Sequence, residues 1–300
     1  MPVRSTVNAC TKPFMSPDSI TYLGLTHSGA YTRPTAAKTD TQPSGSPSSS
    51  ASSDDLATGP TGAEYFPHRP KSLAGIALRA FLLGAALSVS ALGAVVLPAP
   101  YWRLPFFTAA LSLFHFLEFW TTAAYNTPEA DVKAFLLTAN WPAYAIAHAV
   151  AVAECALTSL LLPPPHAWAP AALPALPRTA LLAAGFALVA VGQVVRTAAM
   201  ITAGRSFNHT VQHRRAASHA LVTSGVYAWF RHPSYFGFFW WAVGTQLVLG
   251  NVLSLAGYAF VLWKFFSGRI RHEEELLVRF FGREYEEYRR RVGTRMPFCG

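Results

Sequence analysis

A chain of 300 residues that is 52% hydrophobic and only 13% charged is not a soluble domain, in which about a quarter of residues carry charge. Long apolar runs place it in a membrane. The net charge of +9 then marks cytosolic flanks of membrane segments and argues against a nucleic-acid partner.

From Met1 to Lys71 the sequence is rich in Ser, Thr, Pro and Gly, with the run SPSSSASSDD after Gly45. Nothing there could bury a core, so a disordered cytosolic tail, 1–71, is expected. It has no apolar stretch of the kind a signal peptide needs; a transit peptide is the weaker alternative. Cys10, Cys155 and Cys299 are too scattered for a disulfide framework or a zinc site. Cys299 is penultimate, so no prenylation of this chain itself is expected.

Four apolar segments follow, from Leu73 to Leu97, Tyr101 to Tyr125, Ala134 to Leu162 and Thr179 to Ala203. Each approaches the ~20 residues needed to cross a bilayer. They form an expected N-terminal membrane unit, 72–203. His115 and Glu118 share a helical face in the second segment, whereas His148 and Glu154 in the third align poorly. Bonding between helices accounts for them better than catalysis does, and their spacing matches no metal motif.

The stretch Gly204 to Ser224 is polar and basic, which puts it in the cytosol. Next comes SGVYAWFRHPSYFG, from Ser224 to Gly237. An ionised Arg231 inside an aromatic run does not suit a segment built only for lipid. Pro233 lacks a backbone donor and biases His232 away from helical geometry, so a helix is expected to start near Ser234 with its positive end toward His232 and Tyr235. Two apolar segments, Tyr235 to Leu249 and Val252 to Phe266, meet at Gly250-Asn251 and read as a helical hairpin. With the hairpin counted, about six spans are expected. Residues Arg271 to Arg291 have the spacing of one amphipathic helix, roofing a pocket or lying on the membrane. The expected fold is therefore an all-α, polytopic membrane protein with a C-terminal helical hairpin and a pocket on the cytosolic face.

An NFNH-type segment (here Ser206, Phe207, Asn208, His209) precedes the SGVYxxxRHPSYxG segment. The hairpin, R-x-x-x-E-E from Arg269 and FFG-x-x-Y-x-x-Y from Phe280 follow. In this order the motifs resemble the C-terminal half of the isoprenylcysteine carboxyl methyltransferases, integral membrane enzymes of the endoplasmic reticulum. The resemblance is dense from Ala203 to Phe298 and implies a catalytic region over 204–300. It implies transfer of a methyl group from S-adenosylmethionine to the terminal carboxylate of a prenylated cysteine. The implied partners are farnesylated or geranylgeranylated proteins and the lipid around them, and the implied catalytic region faces the cytosol. Carried over by position, the family's cofactor contacts fall on Gln212, on His219, Ala220, Leu221 and Val222, on Tyr227, on His232, Pro233, Ser234 and Tyr235, and on Glu273. Its substrate contact falls on Arg269. The long Ser-rich N-terminus departs from the family.

These residue types suit those ligands. Glu273 can pair with the ammonium of S-adenosylmethionine, and His232 with nearby N–H groups can meet its carboxylate. Tyr227 and Tyr235 can cover the adenine or face the sulfonium, and Leu221 and Val222 can wall the adenine. Arg269 can grip a substrate carboxylate through its planar fork. A C-terminal carboxyl, of pKa about 3.5, is already ionised at neutral pH. No acid or base is therefore required; Arg269 and Glu273, one helical turn apart, act by positioning. Plainer readings stand beside these. Glu273, Glu274 and Glu275 suit a solvated acidic run, Arg269 and Glu273 a surface ion pair, and Trp229, Trp240, Trp241 and Trp263 an interfacial belt. Rival functions are a phospholipid N-methyltransferase, a sterol reductase and a non-catalytic scaffold or transporter.

Overall fold

The structure is a computed structural model that describes residues 62–161, 178–213 and 220–297. Most of the expected tail, 1–71, lies outside these residues, as do Cys10, Cys299 and His219. Among the described residues the chain forms seven α-helices: α1 (Leu73–Val96), α2 (Arg103–Tyr125), α3 (Ala143–Leu161), α4 (Arg178–Ala203), α5 (Pro233–Leu249), α6 (Leu253–Phe281) and α7 (Arg283–Arg291).

Only three described helices are both long and apolar enough to cross a membrane: Leu73–Val96, Ala143–Leu161 and Thr179–Ser206. By that measure of length and composition α2, α5 and α6 fall short. The reason is physical: α2 buries Arg103, His115 and Glu118, α5 has 17 residues, and α6 is charged in its second half.

The third apolar segment also starts later than its composition suggests. Asp131 caps a short 3₁₀ turn, Val132–Phe135, through Lys133 N at 2.7 Å and Ala134 N at 3.0 Å. Leu136 and Asn140 then take positive φ, and Pro142 disfavours helix at Trp141. The turn seats Phe135 fully buried, stacked on Phe119 at 4.2 Å.

Helices α4 and α5 touch backbone to backbone. A Cβ on Gly192 would lie 2.5 Å from Trp241 N, and one on Gly237 would lie 2.6 Å from Gly192 O. Small residues give membrane helices this close approach. At the hairpin turn Gly250 closes α5 with φ 72°. The α6 start has no cap of its own, and Glu154 of α3 supplies one. Its carboxylate accepts from Val252 N at 2.7 Å, Leu253 N at 2.8 Å and Ser254 N at 2.7 Å, which satisfies donors a helix start leaves free.

The expected single helix Arg271 to Arg291 is not what forms. The hairpin's second arm runs on without a break, because its buried stripe continues through Phe266, Ile270 and Leu276. Gly282, at φ 56° and ψ −127°, ends it, and α7 turns away as a separate helix.

Candidate active site

The site forms where the start of α5 meets the charged half of α6. His232 is non-helical, with φ −125° and ψ 63°, and Pro233 takes the first helical position, where its missing N–H leaves no gap. One turn in, the Tyr235 ring lies parallel to His232, 5.6 Å away, and packs on Phe266 at 5.0 Å.

The Tyr235 hydroxyl is the centre of the cluster. It donates to Glu273 Oε2 at 2.6 Å and accepts from Arg269 Nε at 2.8 Å. Arg269 lies 5.4 Å from the centre of the Tyr235 ring, and its Nη2 donates to the His209 carbonyl at 2.5 Å. His232 Nδ1 stands 3.9 Å from Glu273 Oε2. Spacing on α6 thus does what the sequence suggests: Arg269 and Glu273 share a face and converge on one oxygen.

A second layer holds His232 in place. Its Nε2 lies 3.2 Å from Glu274 Oε1, and Arg231 Nε donates to the same oxygen at 2.9 Å. A carboxylate only accepts, so Nε2 is the donor in this contact, and Nδ1 is turned toward Glu273. Burial would raise the Glu274 carboxyl, but the hydrogen bond and charge of His232, then Arg231, hold it below its ordinary value. Glu274 is 8% exposed, so the reading of this acid as part of a solvated run is corrected.

Arg231 also bonds the carbonyls of Arg289 at 3.1 Å and Val292 at 2.8 Å. Tyr288 of α7 donates to Tyr227 O at 2.6 Å. Helix α7 therefore clamps the loop that carries Tyr227 and His232. The Tyr227 hydroxyl donates to Ala199 O at 3.4 Å, and burial, then the charge of Glu273, raise its pKa.

Of the expected site residues, direct contacts join His232, Tyr235, Arg269 and Glu273. Ser234 faces the other way and accepts from Arg196 Nη1 at 3.0 Å. Gln212 bonds locally, to the Thr210 carbonyl at 3.3 Å and hydroxyl at 3.2 Å, and Ala220 N donates to Ser206 Oγ at 3.2 Å. Leu221 and Val222 are half-buried. His219 lies outside the described residues. The expected site omitted Arg196, His209, Arg231 and Glu274. A lone arginine in the fourth apolar segment and a lone glutamate in the second were the available signal, since each needs the other in a membrane.

Comparisons with known proteins agree in direction. Residues 184–279 match the isoprenylcysteine carboxyl methyltransferase family. A Saccharomyces cerevisiae protein-S-isoprenylcysteine O-methyltransferase is 50% identical over 192 residues, covering 64% of this chain and 78% of its own. The Schizosaccharomyces pombe protein of that name is 40% identical over 233 residues, 77% of this chain and 97% of its own. A solved eukaryotic intramembrane Ras methyltransferase, an isoprenylcysteine carboxyl methyltransferase, superposes with a TM-score of 0.69 at 35% identity, covering 79% of this chain and 80% of that one.

Proposed function

The chain belongs to the isoprenylcysteine carboxyl methyltransferase family, and on that premise we propose how its residues methylate the C-terminal carboxylate of S-isoprenylated cysteine. The methyl donor is S-adenosylmethionine, which supplies an electrophilic methyl on a sulfonium. The donor set fits it. Glu273, with 29% of its side chain exposed, offers a carboxylate to an ammonium. The positive end of the α5 dipole suits a carboxylate, although Pro233 has no N–H and those of Tyr235 and Phe236 donate to the His232 carbonyl; Tyr227 and Tyr235 offer aromatic faces to a cation. The residues 212 and 219–222 carry the rest of the cofactor contacts.

Arg269 grips the substrate carboxylate. Its Nε is held by Tyr235 and one Nη2 hydrogen by His209, which fixes the fork before substrate arrives. The carboxylate needs no base, because it is already ionised. Catalysis comes from alignment, worth about 7–11 kcal/mol when the reacting groups are well placed. Exclusion of water adds to this, since opposite charges on the two reactants are neutralised together.

The single observation that carries this reading is the convergence of Arg269 and Glu273 on the Tyr235 hydroxyl. It puts the anion grip and the cation grip on either side of one hydroxyl. The prenyl tail reaches the site from the bilayer and the cofactor from water. The catalytic region, 204–300, faces the cytosol from the endoplasmic reticulum membrane, with 72–203 as its membrane platform and 1–71 as a tail.

The test is transfer of a labelled methyl group from S-adenosylmethionine to N-acetyl-S-farnesylcysteine as a base-labile ester. No transfer by the purified chain sinks the reading. Arg269→Ala should weaken prenylcysteine binding more than cofactor binding, and Glu273→Ala should do the reverse. The opposite pattern by titration overturns the assignment of roles.

A further inference from the structure

We propose that the buried Glu118–Arg196 pair is a positioning device for methyl transfer, setting the separation between the start of α5 and Arg269. The inference rests on the function proposed above and deepens it.

Arg196 of α4 is 7% exposed and Glu118 of α2 is 1% exposed. The guanidinium is committed on several sides. Its Nε bonds Glu118 Oε1, and its Nη2 bonds Glu118 Oε2 at 2.8 Å. Its Nη1 donates to the Ser234 carbonyl at 3.2 Å and to the Ser234 hydroxyl at 3.0 Å. The rings of Phe114 and Phe238 lie 5.3 Å and 5.4 Å from its central carbon. A planar fork held in this way has one orientation.

The pair reaches both arms of the site. On the cofactor side it holds Ser234, between His232 and Tyr235. The close seating is possible because position 237 is glycine, where a Cβ would lie 2.7 Å from Arg196 N and 2.9 Å from Arg196 Cβ. On the substrate side His209 is the link. Its Nδ1 lies 3.7 Å from Glu118 Oε2, its Nε2 lies 3.4 Å from Thr122 Oγ1, and its carbonyl accepts from Arg269. Thr122 in turn donates to the Glu118 carbonyl at 2.8 Å. One anchor thus touches the α5 arm directly and the Arg269 arm through a single residue.

Stability alone does not account for this arrangement. Removing two charges from water offsets most of their attraction, and well-packed apolar residues often do as well. What apolar residues could not do is bond Ser234 and stand beside His209 at fixed distances. In a reaction that runs on alignment, such distances set the rate.

Arg196→Lys keeps the charge but cannot span Glu118 and Ser234 together. Glu118→Asp keeps the ion pair but withdraws it from Ser234 by one methylene. Both are tested in the full chain with N-acetyl-S-farnesylcysteine and S-adenosylmethionine, alongside thermal unfolding and calorimetry with S-adenosylhomocysteine. The expected result in each folded variant is a kcat lowered about tenfold, with affinity for S-adenosylhomocysteine changed less than about threefold. Loss of kcat only in proportion to loss of folded protein overturns the proposal, as does a folded variant with unchanged kcat. If Arg196→Lys does not fold, Glu118→Asp decides by the same criteria. Failure of the parent chain to transfer methyl overturns the functional reading and this inference together. A working parent with an unaffected, folded variant overturns this inference alone.

Discussion

Two sets of charges grip the start of α5 from opposite sides. Glu118 and Arg196 hold Ser234 from within the helix bundle, closed in by Phe114 and Phe238. Glu274 holds Arg231 and His232 from the side of α7, with the half-exposed Arg289 at its edge, 3.8 Å away. Both sets use the same chemistry, a carboxylate shared among cations. They differ in what surrounds them. The inner pair is almost wholly buried, so removing one member strands the other. In the outer set Arg231 and Glu274 are also buried, but Arg289 reaches solvent and Glu274 has several partners, so its contacts can be loosened one at a time.

The sharpest way to break that contrast is Glu118→Ala. An unpaired Arg196 in the bundle should lower stability by about 3–5 kcal/mol, read as a large drop in the midpoint of thermal unfolding in detergent. A change no larger than that of an exposed pair would show the inner set to be hydrated. Glu274→Gln should come next, at about 1–3 kcal/mol, because it leaves buried donors on Arg231 and His232 poorly matched. Its pH dependence sharpens the comparison. The folded-state pKa of Glu274 lies below its ordinary value, so its stabilisation is complete above that ordinary value. It is lost as pH falls through the folded value. Unfolding midpoints followed from neutral to acid pH should show a decline in the parent chain that is smaller in Glu274→Gln. The smallest effect belongs to Arg289→Ala. Its side chain is 49% exposed, so the loss should stay below about 1 kcal/mol, and added salt should reduce it further. A larger loss would mean that α7 is fastened by charge and not by Tyr288 and the Arg231 hydrogen bonds.

Much of the site was legible because the chemistry was local. Pro233 dictates a helix start and frees His232. Arg269 and Glu273 are one turn apart, so a helix brings them together whatever else the chain does. The parts that were not legible depend on contacts far apart in sequence. Glu274 sits in a run of three acids, where adjacent residues point about 100° apart on a helix. Only the position of Arg231 decides which one is buried. Glu154 sits off any functional face of α3, yet it caps α6, a role that needs the hairpin turn to arrive beside it. Composition divides the long α6 at the edge of its apolar run, at Phe266, yet neither Gly257 nor Gly268 in its path stops it and it runs on to Phe281. Hydropathy marks where the composition of a helix changes, and this helix does not end there.

The glycine contact between α4 and α5 has a further effect on traffic. Where Gly192 meets Trp241 and Gly237, backbone lies against backbone, so no side chain at that point can rotate aside to open a passage. On the function proposed above, the isoprenoid's doorway then lies along a seam other than this glycine contact.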